Sequence, residues 1–237
     1  MSLDSLTTGS AIASPVDAWW RSLDDVDEDT CSRLSSFLAP TERQHADRFH
    51  RAMDRRRYCV RRGTLRELLA LYLGCFAHDV PILHSPLGKP YVEGCDIKFN
   101  LSHSRGMALY AFGYGREIGC DVEWRDSRFA TQETANLVLS RTEMAVWQEL
   151  PEPSLTNAFF DYWTCKEAYV KALGIGLAVP PSDITVSLEG SPQFVALPRD
   201  DGSQWSLAPV HLRKDYAAVI AMRGSAPPIR IRQFGSA

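Results

Sequence analysis

Ile118-Gly119-Cys120-Asp121-Val122-Glu123 is a short apolar run interrupted by two acids one residue apart. In a strand, residues i and i+2 share a face, so Asp121 and Glu123 project together while Val122 packs behind them. Two carboxylates side by side repel each other unless a cation sits between them, and hard oxygen donors of this kind suit magnesium. The same residues would also serve as an edge strand with two solvated acids. Just upstream, Gly113 and Gly115 break the pattern, and the chain reads alike on either side of residues 113–117.

Before the break, residues 16–20 read as a strand and 41–74 as a helix. Leu65, Leu68, Leu69 and Tyr72 recur at i, i+3, i+4 and i+7, and Gly74 is placed to close the helix. Short strands are expected at 81–84, 98–101 and 107–112, separated by Gly- and Pro-bearing turns. After the break come strand 118–122, helices over about 140–149 and 155–173 closed by Gly174 and Gly176, and strands at 184–188, 193–197, 205–209 and 217–222. Helices followed by an antiparallel run, twice over, predict an α+β fold of two similar halves, residues 1–116 and 117–237. No residue-level repeat between the halves is visible.

The second half carries Trp163-Thr164-Cys165-Lys166-Glu167-Ala168-Tyr169-Val170-Lys171. Glu167 and Lys171 are i, i+4 neighbours, which on an exposed helix would be an ordinary salt bridge. Phe159, Phe160, Tyr162, Trp163, Tyr169 and Val170 make this helix apolar over most of its surface, so both charges need partners; a cation and a phosphate would supply them. In Phe99-Asn100-Leu101-Ser102-His103-Ser104 a strand runs out into what reads as a Ser-His-Ser turn. Its hydroxyls, imidazole and amides are donors for a phosphate, or equally a self-satisfied turn.

The 237 residues are 45% apolar and 23% charged with a net charge of −3, ordinary for a globular protein and pointing to no nucleic-acid or membrane partner. Locally, nine of the 26 basic residues are arginines between Arg43 and Arg66. They are either a solvated helix face or a grip on a polyanion. Six cysteines show no CxxC spacing and read as reduced; the N-terminus lacks signal-peptide character and no run is long enough to span a membrane, so a cytoplasmic location is expected.

Taken together and in order, FNLSHS (99–104), IGCDVE (118–123) and WTCKEAYVKALGIGL (163–177) resemble the Sfp-type phosphopantetheinyl transferases, with LAPTER (38–43) and LGKP (87–90) fitting the same pattern. The resemblance runs from about Trp19 to Met222. It implies a pseudo-dimer of two α+β halves with coenzyme A in the cleft between them, rather than the half-size synthases that assemble as trimers. It also implies transfer of 4'-phosphopantetheine from coenzyme A to a serine of an acyl or peptidyl carrier protein, releasing 3',5'-ADP. By position, Asp121, Glu123 and Glu167 are the implied ligands of Mg2+, for which Mn2+ would substitute. Asp121, Glu167 and Lys171 carry catalysis, with Glu167 the candidate base on the carrier serine. Lys89, Pro90, Ser102, His103 and Lys171 are the implied coenzyme A contacts, joined by Arg48 and, among the arginines of 55–62, Arg56. Glu42 and His45 stand where well-known members carry lysines, which is why the 3'-phosphate contacts are expected to move to those arginines. Cys120 replaces a commoner isoleucine. Carrier docking is expected over 125–138, with Arg125, Arg128 and Phe129 facing an acidic helix. The implied enzyme is a monomer without nucleic-acid or membrane partners. A metal-dependent nuclease, or a non-catalytic coenzyme- or carrier-binding module, are the competing readings of the same acids and arginines.

Overall fold

The computed structural model describes residues 15–235, so the expected N-terminal tail and the absence of a leader lie outside the described residues. In chain order the elements are β1 (Val16–Ser22), α1 (Glu28–Ser36), α2 (Pro40–Ala46), α3 (Ala52–Leu73), β2 (Leu83–His84), β3 (Pro90–Tyr91), β4 (Ile97–Ser104), β5 (Met107–Tyr114), β6 (Ile118–Trp124), α4 (Gln132–Val138), α5 (Arg141–Gln148), α6 (Glu152–Leu173), β7 (Thr185–Ser187), β8 (Gln193–Ala196), β9 (Trp205–Pro209), β10 (Tyr216–Arg223) and β11 (Ile229–Gln233).

Two antiparallel runs form two sheets, ordered β1-β5-β4 and β6-β10-β9, each followed by its own long helix and short hairpin. The succession β1, α3, β2–β3, β4, β5 is repeated as β6, α6, β7–β8, β9, β10. Helices α3 and α6 are each 22 residues long, and each ends on a left-handed glycine, Gly74 (φ 65°) and Gly174 (φ 66°), where a side chain would be strained. One core lies under α3, one under α6, and a third joins the two sheets through residues such as Val16, Leu109 and Ala111 from one and Ile118, Cys120 and Ile220 from the other. The chain is an α+β pseudo-dimer, as the sequence pattern predicted.

Aligning the halves by topology exposes a residue-level repeat that inspection of the sequence missed. Leu38-Ala39-Pro40-Thr41-Glu42 matches Leu139-Ser140-Arg141-Thr142-Glu143, and Arg66-Glu67 with Leu73-Gly74 matches Lys166-Glu167 with Leu173-Gly174. The match is functional in the folding sense. Glu42 accepts the Ala39 N–H (2.8 Å) and pairs with Arg66 (2.5 Å); Glu143 accepts the Ser140 N–H (2.7 Å) and pairs with Lys166 (2.5 Å). All four charges are buried, and each cation also donates to backbone carbonyls, Arg66 to Val80 and Lys166 to Val138 at the end of α4. Glu42 therefore stands where it does because the fold of the first half needs it.

Three expectations are corrected. The helix over 41–74 is two helices: the chain turns at 47–51 so that His45 and Phe49 both pack against Tyr58, contacts that a continuous helix would forbid. Ser102-His103-Ser104 is no turn but the end of β4; the turn is Arg105-Gly106, with Arg105 at φ 48°. Beyond Met222, β11 runs parallel to β1 and completes the first sheet, so residues 229–233 serve the first half. Helices α1 and α4 were also missed, although Asp27 and Thr131 each cap one through a side-chain oxygen. Among the described residues no helix is long and apolar enough to cross a membrane, and none of the six cysteines is paired.

Candidate active site

Strands β4 and β6 belong to different sheets, and no backbone ladder joins them. They are stitched instead by side chains. Alternation puts Asn100, Ser102 and Ser104 on one face of β4, and each reaches β6. The Asn100 Oδ1 accepts the Cys120 N–H (2.9 Å), the Ser102 hydroxyl donates to Asp121 Oδ1 (2.8 Å), and the Ser104 hydroxyl donates to Glu123 Oε2 (2.7 Å). His103 faces the opposite way and is exposed.

Helix α6 lies across β6, and its approach depends on Gly119. A Cβ there would fall inside 3.0 Å of backbone atoms of Ala168 and Ala172. This contact brings Lys171 onto Asp121: the ammonium donates to Asp121 Oδ1 (2.5 Å) and to the Ser102 hydroxyl (2.9 Å). Gly119→Ala is expected to push helix and strand apart, costing about 1–3 kcal/mol in a urea titration and a larger factor in turnover, because both catalytic elements move.

The local field is acidic. Burial and then the neighbouring Asp121 push the Glu123 carboxyl up to about 7, against the Ser104 hydrogen bond. Burial and Asp121 raise Glu167 as well, with Lys171 opposing. Burial works to lower the Lys171 ammonium, but the Asp121 carboxylate outweighs it and the net direction is up. Cys120 beside Asp121 is pushed up to about 12 by burial and is no nucleophile.

Asp121, Glu123 and Glu167 thus share one electrostatic neighbourhood with a single ammonium among them. Among the described residues no three such side chains are already closed into a ready-made metal cage. The donor chemistry nevertheless fits a hard cation. All three are carboxylates, burial and mutual repulsion raise two of them above the ordinary carboxylate range, and Asp121 Oδ2 is buried with no hydrogen-bond partner.

Two cavities flank the acids. One, of about 270 Å³, is lined by Lys89, Pro90, Asn100, Glu167 and Lys171. The other, of about 390 Å³, is lined by Ser104, Glu123, Phe129, Phe160 and Trp163. Lys89 sits in the first, but its ammonium is committed to Glu117 (3.0 Å) and to the Ala172 carbonyl, where it caps α6. Most of the arginine cluster is likewise spoken for. Arg56 binds the Val26 carbonyl, Arg57 grips Asp24 with two hydrogen bonds, Arg62 joins Glu42, and Arg55 pairs with Asp47. Of the two arginines expected to hold the 3'-phosphate, Arg48 is exposed and makes no side-chain hydrogen bond among the described residues, and Arg56 is turned to α1. Arg61 is the arginine the sequence reading did not single out. It is half-buried beside Tyr58 and Tyr110, with burial bringing it down to about 10. In the second half Arg125 holds Asp161 (2.7 Å) and Arg128 holds Asp126 (2.6 Å), while Phe129 is exposed. Asn100 and Ser104 were legible as part of a period-two polar pattern that was instead taken for a turn.

The model of the 4'-phosphopantetheinyl transferase superfamily matches residues 117–221, and that of the 4'-phosphopantetheinyl transferase N-terminal region matches residues 25–111. The chain is 36% identical over 163 residues to the 4'-phosphopantetheinyl transferase HetI of Nostoc sp., covering 67% of this chain and 69% of that one. It is 27% identical over 157 residues to the 4'-phosphopantetheinyl transferase Sfp of Bacillus subtilis, covering 66% and 69%. Among solved structures, a holo-(acyl-carrier-protein) synthase from Bacillus anthracis in complex with CoA (3',5'-ADP) is similar at 25% identity and a TM-score of 0.39, over 46% of this chain and 96% of that one. With both halves matched and the relatives covered over two thirds of their length, the chain belongs to the 4'-phosphopantetheinyl transferase superfamily and is a phosphopantetheinyl transferase.

Proposed function

We propose that this enzyme takes coenzyme A into the cleft between residues 1–116 and 117–237 and transfers its phosphopantetheine to a serine of acyl or peptidyl carrier proteins, with Asp121, Glu123, Glu167 and Lys171 as the working residues. The observation that carries this is the convergence of three carboxylates and one lysine from β6 and α6 on the seam with β4. Asp121, Glu123 and Glu167 would hold magnesium, or manganese as a substitute, which when bound would neutralise diphosphate charge. The protein's own part is positioning. Lys171, fixed by Asp121 and Ser102, presents an ammonium where charge builds on the departing 3',5'-ADP. Glu167, raised by burial and Asp121, is the stronger proton acceptor for it and takes the carrier serine proton. Pro90 and the Lys89 turn would border the nucleotide side of the cleft, and the exposed His103 would be a donor to the coenzyme A phosphates. The exposed Phe129, the Arg125–Arg128 segment and the aromatic cavity beside Glu123 form the carrier side. The enzyme works as a cytoplasmic monomer without nucleic-acid or membrane partners.

Incubation with coenzyme A, magnesium and an apo carrier protein should add the phosphopantetheine mass to the carrier, and chelator should stop it. Mass addition that persists unchanged in chelator would remove the metal from the scheme. A pH dependence follows as well. Glu123 holds its proton below about 7, so a cation must displace that proton on the acid side. The half-saturating magnesium concentration is expected to rise up to about tenfold per pH unit below 7 and to level off above. In metal-free enzyme the sign is opposite for stability: the Glu123 contribution is present below its unfolded pKa and is lost as pH rises through about 7.

A further inference from the structure

The hydroxyl of Ser104 makes two hydrogen bonds that hold it between two groups of β6. It accepts the backbone N–H of Trp124 (3.1 Å), which anchors the oxygen, and it donates its one proton to Glu123 Oε2 (2.7 Å). The Trp124 N–H belongs to the edge of β6 that has no strand beside it, since β6 pairs only with β10. Four residues back on each strand, Asn100 covers the Cys120 N–H of the same edge, and between them Ser102 holds Asp121. A row of three polar side chains from the first half thus replaces a backbone ladder and sets the register of both β6 acids against the first half.

Within that row Ser102 shares its acid with Lys171, whereas Glu123 has Ser104 as its recorded hydrogen-bond partner. Glu123 is a long side chain on a strand end beside a cavity of about 390 Å³, with room to turn away. Freezing such a side chain costs conformational entropy each time a ligand is bound, unless something has already frozen it. On the reading that Glu123 is a cation ligand, we infer that Ser104 is a positioning residue that aims Glu123 at the cation site from across the seam between the halves. Its effect falls on cation affinity rather than on the rate of the loaded enzyme, because Ser104 lines the cavity beside Glu123 and not the one that Lys89, Glu167 and Lys171 line.

The test compares Ser104→Ala, Ser104→Thr and Glu123→Gln in the full-length enzyme, titrating magnesium chloride at saturating coenzyme A and carrier and recording melting temperature alongside. The expected result is a half-saturating magnesium concentration raised about tenfold in Ser104→Ala, in the range seen for residues that orient metal ligands. Turnover at saturating magnesium should stay within about threefold of wild type, and Ser104→Thr, which keeps both hydrogen bonds, should restore the midpoint. A midpoint within twofold of wild type in Ser104→Ala, while Glu123→Gln is impaired, overturns the positioning role and leaves the acid assignment standing. A wild-type midpoint in Glu123→Gln overturns that assignment and the role of Ser104 with it. A lowered melting temperature with an unmoved midpoint marks Ser104 as a structural seam residue and also overturns the inference.

Discussion

Asp121→Asn lowers transfer by about a thousandfold or more while the protein stays folded. Asparagine preserves shape and still accepts the Ser102 hydroxyl, so packing on β6 is retained. What disappears is the full charge that anchors Lys171 at 2.5 Å and the oxygen that lies buried without a partner. Lys171, no longer held, loses its position toward the diphosphate, and the remaining acids lose the member that couples them. Glu167→Gln should fall by a similar factor, because it removes both a donor for the cation and the proton acceptor. Stopped-flow or discontinuous mass assays, with circular dichroism to confirm folding, decide the matter. Turnover near wild type in Asp121→Asn would remove the acid from the site.

The second large effect concerns folding. Lys166→Met leaves Glu143 buried and unpaired and is expected to cost about 3–5 kcal/mol, read as a shift in the urea midpoint at constant slope. Glu143 is 2% exposed, accepts N–H groups from Ser140 and Val186, and holds Lys166 at 2.5 Å. Losing the ammonium leaves its charge with only neutral donors. Adding Glu143→Gln to Lys166→Met should recover part of the loss, since the uncompensated charge is then gone. The topologically equivalent Arg66→Met should cost less, because Glu42 keeps its pair with Arg62, and adding Arg62→Met should bring the loss up to that of Lys166→Met. Loss below about 1 kcal/mol in both single variants would mean the pairs are far less desolvated than their burial implies.

The contrast between Glu167 and Lys166 shows what sequence could and could not disclose. The acids on β6 were legible because strand periodicity fixes their common face, and the apolar surroundings of α6 made its charges conspicuous. The buried role of Lys166 was not legible, because its partner lies 23 residues away on a separate helix. Glu42 was seen only as a departure from an expected lysine. Its reason, a carboxylate that accepts the Ala39 N–H at the start of α2 and pairs with Arg66, needed the α2–α3 break beside Phe49. The arginine cluster misled in the same way. A run of like charges on a helix shows how many cations there are but not which are consumed by the fold, and here Arg55, Arg56, Arg57, Arg62 and Arg66 each find a carboxylate or carbonyl nearby. Ser104 was hidden by a wrong boundary. Once β4 is extended to residue 104, alternation alone puts it beside Glu123.

Binding of Mn2+ to the enzyme–coenzyme A complex, followed by phosphorus NMR, tests most directly whether the acids at 121, 123 and 167 gather one divalent ion against the diphosphate. The paramagnetic ion should broaden the two diphosphate resonances well before the 3'-phosphate, and Glu167→Gln should abolish that selectivity. Equal broadening of all three phosphates, unchanged by substitution at 121 or 167, would show that the ion resides elsewhere and that these carboxylates do not form its site.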